Sequence, residues 1–327
     1  MSVNPLSIGS LQLPNNILCA PLAGCTDYPF RQIASRFNPG LLFCEMVKME
    51  ALLQYDDDTF RMLHYNASMR PIGAQLCGSN PKLAGPAARI IEDMGFDVVD
   101  LNCGCPVDNV TKDGSGSALL RTPLRIGEIV SNMVAAVRIP VTVKIRAGWD
   151  EKSLVHTELV RIAELAGAKA LTIHGRTRKQ AYLGRANWEW IKQAKQAATT
   201  IPVIGNGDIF SVEDAVHKLK TSGCDGILIA RGLFGKPWLP SDICHYAETG
   251  EIPVHTAAEQ RQILIDHFNE TLAHCSDQRA LTDMRRVGCW YIGRCSGARA
   301  FREALSHAST IDEMRELINQ VPLSAEA

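Results

Sequence analysis

IPVIGNGDI (201–209) and DGILIARG (225–232) are the two stretches on which the architecture of this chain turns. Each is a short, nearly continuous apolar run that ends in a glycine-containing turn, and the intervening Val212–Thr221 has helical spacing. Such runs suit strands buried on both faces, as in a parallel sheet covered by helices. The same unit recurs outward from this pair. The strand-like runs are Ile17–Ala20, Leu41–Cys44, Ile72–Leu76, Val98–Leu101, Val141–Ile145, Ala170–Ile173, Pro202–Ile204 and Gly226–Ile229. Amphipathic segments such as Pro81–Met94, Leu124–Val137 and Leu154–Ala166 lie between them, two of them closed by the glycines at 95 and 167.

Eight strand–helix units predict an α/β fold of the closed type, a parallel (β/α)8 TIM barrel. An open dinucleotide-binding sheet would carry a Gly-x-Gly-x-x-Gly turn after an early strand, and none is present. Leu6–Leu13 has the pattern of a hairpin that would plug the N-terminal end of the barrel. After Gly250 the strand-like runs stop and helical periodicity continues. The division expected is a catalytic barrel over 1–248 and a small all-α C-terminal domain over 249–327, with the boundary within Glu248–Pro253.

Charged residues make up 21 % of the chain and the net charge is −1, which excludes a globally basic nucleic-acid binder and leaves local patches as the only route to RNA. No run approaches the roughly 20 apolar residues of a membrane span. The first residues lack the layout of a signal peptide, so a cytoplasmic location with no membrane partner is expected. The 11 scattered cysteines then read as mostly reduced thiols.

Active sites of such barrels lie at the C-terminal ends of the strands. The first run leads into Pro21-Leu22-Ala23, a small-residue turn open to a flat ligand or simply a tight turn. The third ends in Gln75, an amide with both donor and acceptor capacity. Lys144 stands on a buried strand, where a lysine needs an anionic partner or a task. His174 and Arg176 end the sixth run, Asn206-Gly207-Asp208 the seventh, and Ala230-Arg231 the eighth. Glycine turns after the last two strands commonly hold phosphate in this fold. Together these groups describe a phosphorylated, flat, electron-accepting cofactor, with flavin mononucleotide (FMN) the best fit.

The fourth strand carries the sharpest feature, DLNCGCP (100–106). A Cys-x-Cys could be half of a metal site, but no second pair has suitable spacing, so no metal is expected. Cys103 fits a buried thiol. Cys105, on a Gly–Pro turn at the rim, is placed to reach a substrate, and the polar, glycine-rich 107–117 has the composition of a lid.

These strings resemble the tRNA-dihydrouridine synthase family. The match runs in order through APLAGCTDYPFR (20–31), AQLCGSNP (74–81), DLNCGCP (100–106), GSALL (116–120), VKIRAGWD (143–150), TIHGRT (172–177), PVIGNGDI (202–209) and IARGLFGKPW (229–238), with MRRVGCWYIG (284–293) and AFRE (300–303) in the tail. The first string resembles the B-type bacterial branch, NCGCP and AGWD the C-type. The resemblance implies reduction of the C5–C6 bond of particular tRNA uridines by FMN, itself reduced by NADPH. It implies that Pro21, Leu22, Ala23, Gln75, Lys144, His174, Asn206, Gly207, Asp208, Ala230 and Arg231 hold FMN, that Cys105 is the general acid, and that Asn102 orients the uracil. Ala230 and Val287 stand where the family often has glycine and histidine.

Residues 279–302 hold Arg279, Arg285, Arg286, Arg294, Arg299 and Arg302 against Asp283, with Trp290 and Tyr291 among them. Interleaved arginines and aromatics suit phosphate contact and stacking, while a helix with core aromatics and solvated arginines has the same pattern. The expectation is that Arg285 and Arg286 touch tRNA, that Trp290 is core, and that Arg176 and Arg178 extend the surface towards the barrel. A monomer is expected. The alternatives are a small-molecule flavin reductase of the dihydroorotate dehydrogenase-like class, which would not need the arginine-rich tail, and a non-catalytic tRNA-binding factor.

Overall fold

The structure, a computed structural model, describes residues 3–293 and 297–323. A hairpin of β1 (Leu6–Ile8) and β2 (Leu11–Leu13) precedes an all-parallel sheet of eight strands. These are β3 (Ile17–Cys19), β4 (Leu42–Lys48), β5 (Ile72–Cys77), β6 (Val98–Cys103), β7 (Val141–Arg146), β8 (Ala170–His174), β9 (Val203–Asn206) and β10 (Gly226–Ile229). They neighbour one another in sequence order, and β10 returns to pair with β3. A parallel bridge between Leu18 and Leu41, with Cys19 N–H donating to the Leu41 carbonyl at 2.9 Å, closes the sheet into a barrel.

The period of two along each strand sorts its residues between two cores. Outward positions such as Ile72, Ala74, Val99, Leu101, Val143, Ile145, Leu171 and Ile173 pack against the surrounding helices. Inward positions differ by height. At the N-terminal end Leu18, Phe43, Val98, Ala170, Ile204 and Leu228 form an apolar layer, and Leu6, Ile8 and Leu13 of the hairpin plug it from below. Higher on the same faces the residues turn polar: Asp100 and Asn102 on β6, Thr142 and Lys144 on β7, Thr172 and His174 on β8, Asn206 on β9. The floor of the barrel is therefore hydrophobic and its top is chemical. Gly73 fits this interior, because a Cβ there would lie 2.4 Å from the Phe43 ring.

Most strands differ from their expected bounds by a residue or two at their ends, and two of them bear on the site. β4 runs on to Lys48, through a register irregularity between Phe43 and Met46, because the buried Glu45 breaks the apolar pattern without breaking the pairing. β9 reaches Asn206, so that residue is strand, and the turn proper begins at Gly207 with φ 130°.

The helix Leu239–Thr249 stops at Gly250, whose φ of 79° is the left-handed conformation glycine adopts cheaply. A capping box of Thr256 and Glu259 starts Ala257–His274, followed by Asp277–Tyr291, Ala298–His307 and Ile311–Gln320. Leu264, Phe268, Met284, Val287, Leu305 and Ile318 form their core, which Trp238 joins from the barrel side. Trp290 stacks on Phe234 with centroids 4.1 Å apart and takes the edge of Phe30, so this core aromatic ties tail to barrel. Arg36 adds an ion pair to Asp266 at 2.6 Å. Among the described residues no helix is long and apolar enough to cross a membrane.

Candidate active site

A cavity of about 360 Å³ opens at the C-terminal ends of the strands, where this fold places its chemistry. Pro21, Leu22 and Ala23 form one wall, from the loop after β3. Gln75, Asn102, Lys144, His174 and Asn206 enter the cavity as inward residues near the C-terminal ends of β5 to β9. Gly207, Asp208, Ala230 and Arg231 line it from the turns after β9 and β10, next to the loop after β3, and Cys105 stands on the lip after β6. All the sequence-derived cofactor residues, with Cys105 and Asn102, thus line one pocket.

A chain of hydrogen bonds runs under Cys105. Thr142 Oγ1 donates to Asp100 Oδ1 at 2.6 Å, and Gln75 Nε2 donates to Asp100 Oδ2 at 2.8 Å. Asn102 Nδ2 donates to Gln75 Oε1 at 2.7 Å, and Asn102 Oδ1 accepts the backbone N–H groups of Gly104 at 3.0 Å and Cys105 at 2.9 Å. Burial raises Asp100 to about 6, against the pull of Thr142, Gln75 and Lys144. On the other side of the turn Arg146 donates to the Gly104 carbonyl at 2.8 Å, and Ser117 N–H to the Cys105 carbonyl at 3.0 Å.

The wall built from β7 to β10 is cationic. Enclosure, reinforced by Arg146, lowers Lys144 to about 8, so it is still mostly charged at neutral pH. Burial and then Arg146, Lys144, Arg176 and Arg231 hold His174 well below its ordinary value, which makes it a neutral imidazole. Its Nε2 lies 3.3 Å from Arg176 Nη1, a group that can only donate, so Nδ1 carries the hydrogen. Asp208 is the one carboxylate on this wall, and it is already paired with Arg176 at 2.8 Å. The remaining field favours an anionic ligand.

The segment after Cys105 folds as a short helix, Asp108–Thr111, and a 3-10 turn from Gly116. Two ion pairs fasten it to the rim, Lys48 to Asp113 and Arg178 to Asp108. Arg121 and Arg178 both lie over the Trp149 ring, at 3.4 and 4.8 Å from its centroid.

The sequence-derived RNA contacts lie apart from the pocket lining. Arg176 is only 2 % exposed and donates to the carbonyls of Leu183 and Gly184 as well as to Asp208. Arg285 directs Nε and Nη2 at the Ala308 carbonyl, 2.9 and 2.7 Å away. Arg302 likewise donates to the Ile292 and Gly293 carbonyls. These three guanidiniums hold the fold together, a use of arginine that composition does not distinguish from phosphate contact. Arg286 and Arg299 are exposed, and Arg286 lies 5.4 Å over the Trp290 ring. Arg294 lies outside the described residues.

Three pocket groups went unnoticed in the sequence. Arg146 shares the inward face of β7 with Thr142 and Lys144, so the alternation already pointed to it. Tyr182 and Phe210 sit on loops at the mouth, 52 % and 45 % exposed, with Arg231 near both rings. No periodicity marks them.

A dihydrouridine synthase family model matches residues 18–326. The chain is 41 % identical over 318 residues to the probable tRNA-dihydrouridine synthase 1 of Synechocystis, covering 97 % of this chain and 89 % of that one. It is 36 % identical over 314 residues to tRNA-dihydrouridine synthase B of Pseudomonas aeruginosa, covering 96 % and 94 %. In fold it is similar to histamine dehydrogenase from Rhizobium sp. 4-9, with a TM-score of 0.57 at 15 % identity over 82 % of this chain. It is also similar to 6-hydroxypseudooxynicotine amine oxidase from Pseudomonas geniculata N1, with a TM-score of 0.58 at 16 % identity over 75 % of this chain. The chain spans 50 % and 49 % of those two, which share its barrel. With a family model matched from the first barrel strand to the end of the tail, the chain belongs to the dihydrouridine synthase family.

Proposed function

We propose that this chain reduces the C5–C6 bond of specific uridines in tRNA, with FMN as its bound cofactor and NADPH as the reductant. The observation that carries this is that a half-buried thiol, Cys105, lines the same cavity as the cationic groups Lys144 and Arg231. The donor set fits an anionic, flat, phosphorylated group: charge from Lys144 and Arg231, amide edges from Gln75 and Asn206, and glycine turns at 207 and 232. When bound, FMN supplies the hydride equivalent for uracil C6 and is returned to its reduced form by NADPH.

The residues of the chain do the rest. Cys105 Sγ gives its proton to C5, and the thiolate left behind regains one from solvent at the mouth. Asn102 keeps one N–H free after its bond to Gln75, suited to the uracil edge. Lys144 places a positive charge where negative charge grows during reduction, and neutral His174 adds a donor without a competing charge. The barrel over 1–248 is the catalytic unit, and the tail over 249–327 is the tRNA-binding unit. Its exposed Arg286 and the rim's Arg178 meet phosphates, and the target base leaves its stack to enter the cavity.

The test is mass-spectrometric mapping of dihydrouridine after incubating the purified protein with NADPH and unmodified tRNA. Product at defined positions supports the reading. A yellow, NADPH-reducible protein that reduces a free pyrimidine and leaves tRNA untouched overturns it in favour of a small-molecule reductase.

A further inference from the structure

We propose that Asp100 is a positioning residue which, through Gln75 and Asn102, sets the place of the Cys105 turn. The proposal deepens the reading above, since it assigns the buried support on which the proton donor stands.

The argument is one of polarity. Asp100 is 3 % exposed at the centre of the barrel, one inward position below Asn102 on β6. An ionised carboxylate can only accept, so Gln75 must present Nε2 to it. That orientation leaves Gln75 Oε1 facing Asn102, which must answer with Nδ2. Asn102 Oδ1 is then left for the N–H groups of Gly104 and Cys105. Every donor in the chain points towards Asp100, so the two amides are oriented from both ends, by the carboxylate and by the backbone donors of the turn. A reversed Gln75 would set its oxygen against the carboxylate. A reversed Asn102 would set its amino group against two backbone donors. Thr142 fixes the carboxylate from the far side at 2.6 Å. The register holds these residues in rank: Gln75 pairs with Asp100 across β5 and β6, and Asp100 with Thr142 across β6 and β7.

Fixing the amides has a second consequence. Gln75 and Asn102 both line the cavity, and each retains a hydrogen that the chain does not use. Asp100 therefore determines that a ligand meets a free N–H from each amide, although it lines no part of the cavity itself.

The test compares Asp100→Ala with Asp100→Asn. An amide at 100 can accept from Gln75 through Oδ1 and donate to the Thr142 hydroxyl through Nδ2, so the asparagine variant keeps the chain; alanine severs it. The first readout is iodoacetamide labelling of Cys105, followed by peptide mass spectrometry on protein without tRNA or NADPH. Labelling is expected to rise in Asp100→Ala by on the order of threefold or more, as a loosened turn opens more often, and to stay near wild type in Asp100→Asn. The second readout is kcat on tRNA, expected to fall by on the order of 10- to 100-fold in Asp100→Ala with KM for tRNA little changed, and to recover in Asp100→Asn. If Asp100→Ala does not fold, Gln75→Met breaks the chain one link nearer the turn and must reproduce the rise in labelling. A folded Asp100→Ala or Gln75→Met with wild-type labelling of Cys105 overturns the proposal. Because labelling needs no substrate, it separates failure of this proposal from failure of the tRNA reading, which a wild-type protein inactive on tRNA would expose.

Discussion

Arg176 and Asp208 form an ion pair at 2.8 Å that ties the loop after β8 to the turn after β9. Asp208 also accepts the Ala186 N–H at 2.7 Å, and Arg176 donates to two carbonyls of the same loop. Burial alone would raise the Asp208 carboxyl, but the bonds from Arg176 and Ala186 outweigh it and hold the group below its ordinary range. The pair fastens Asp208 at φ 51°, a left-handed conformation that aspartate tolerates better than most residues. A residue expected to face RNA thus shapes the cavity from behind.

Arg176→Met should destabilise the chain by about 2–4 kcal/mol, because it strands a partly buried carboxylate and two carbonyls at once. Urea unfolding would show a lower midpoint at an unchanged slope. An unchanged midpoint would mean that solvent replaces the guanidinium freely, and that the pair contributes little.

Cys105→Ala removes the proposed proton donor and leaves the cavity walls in place, since its backbone rather than its side chain bonds to Asn102 and Ser117. Flavin binding, read from the visible spectrum, should be retained, while kcat on tRNA falls by roughly 10²–10⁴-fold. Full turnover in this variant would remove Cys105 from the chemistry.

Lys144 gives the site a pH dependence with a definite sign. Its value is lowered to about 8 from 10.5, so between those limits the folded chain lacks a proton that the unfolded chain holds. Lys144 therefore contributes stability to the ligand-free protein that rises with pH through that window, by linkage. An anionic cofactor pulls the other way. Its affinity should weaken as pH passes above about 8, where Lys144 must first regain its proton. Titrating flavin fluorescence on both sides of that value, with Lys144→Met alongside, checks this: the pH step should vanish in the variant.

Much of the barrel was legible because parallel strands covered on both sides must be apolar along their length, which the runs around Leu18 and Leu228 satisfy. The candidate pocket was legible for a related reason: inward residues near the end of each strand, from Gln75 to Asn206, face the opening whatever the helices do outside. Loop geometry was not. Tyr182 and Phe210 reach the mouth through turns that no period describes. Glu45 hid the second half of β4, because its carboxylate answers an N–H, that of Gly24, from a distant loop. The arginines were the least legible. Arg285 and Arg286 are adjacent and chemically identical, and only the helix rotation between them decides which one finds a carbonyl inside the protein.

That rotation gives a prediction able to separate them. Arg285 is half-buried and doubly bonded to Ala308 at the end of Ala298–His307, so Arg285→Ala should cost about 1–3 kcal/mol of stability and leave the salt dependence of tRNA binding unchanged. Arg286 is 45 % exposed on its side chain, with a 3.9 Å contact to Asp283 and the Trp290 ring beneath it. Its loss should leave stability within about 0.5 kcal/mol and weaken tRNA binding, with the salt slope flattened by about one. Both effects are measured by thermal unfolding and by tRNA affinity across a salt series. A steepened loss of affinity in Arg285→Ala at full stability would reverse the assignment, and would require the Ala308 contact to break when RNA binds.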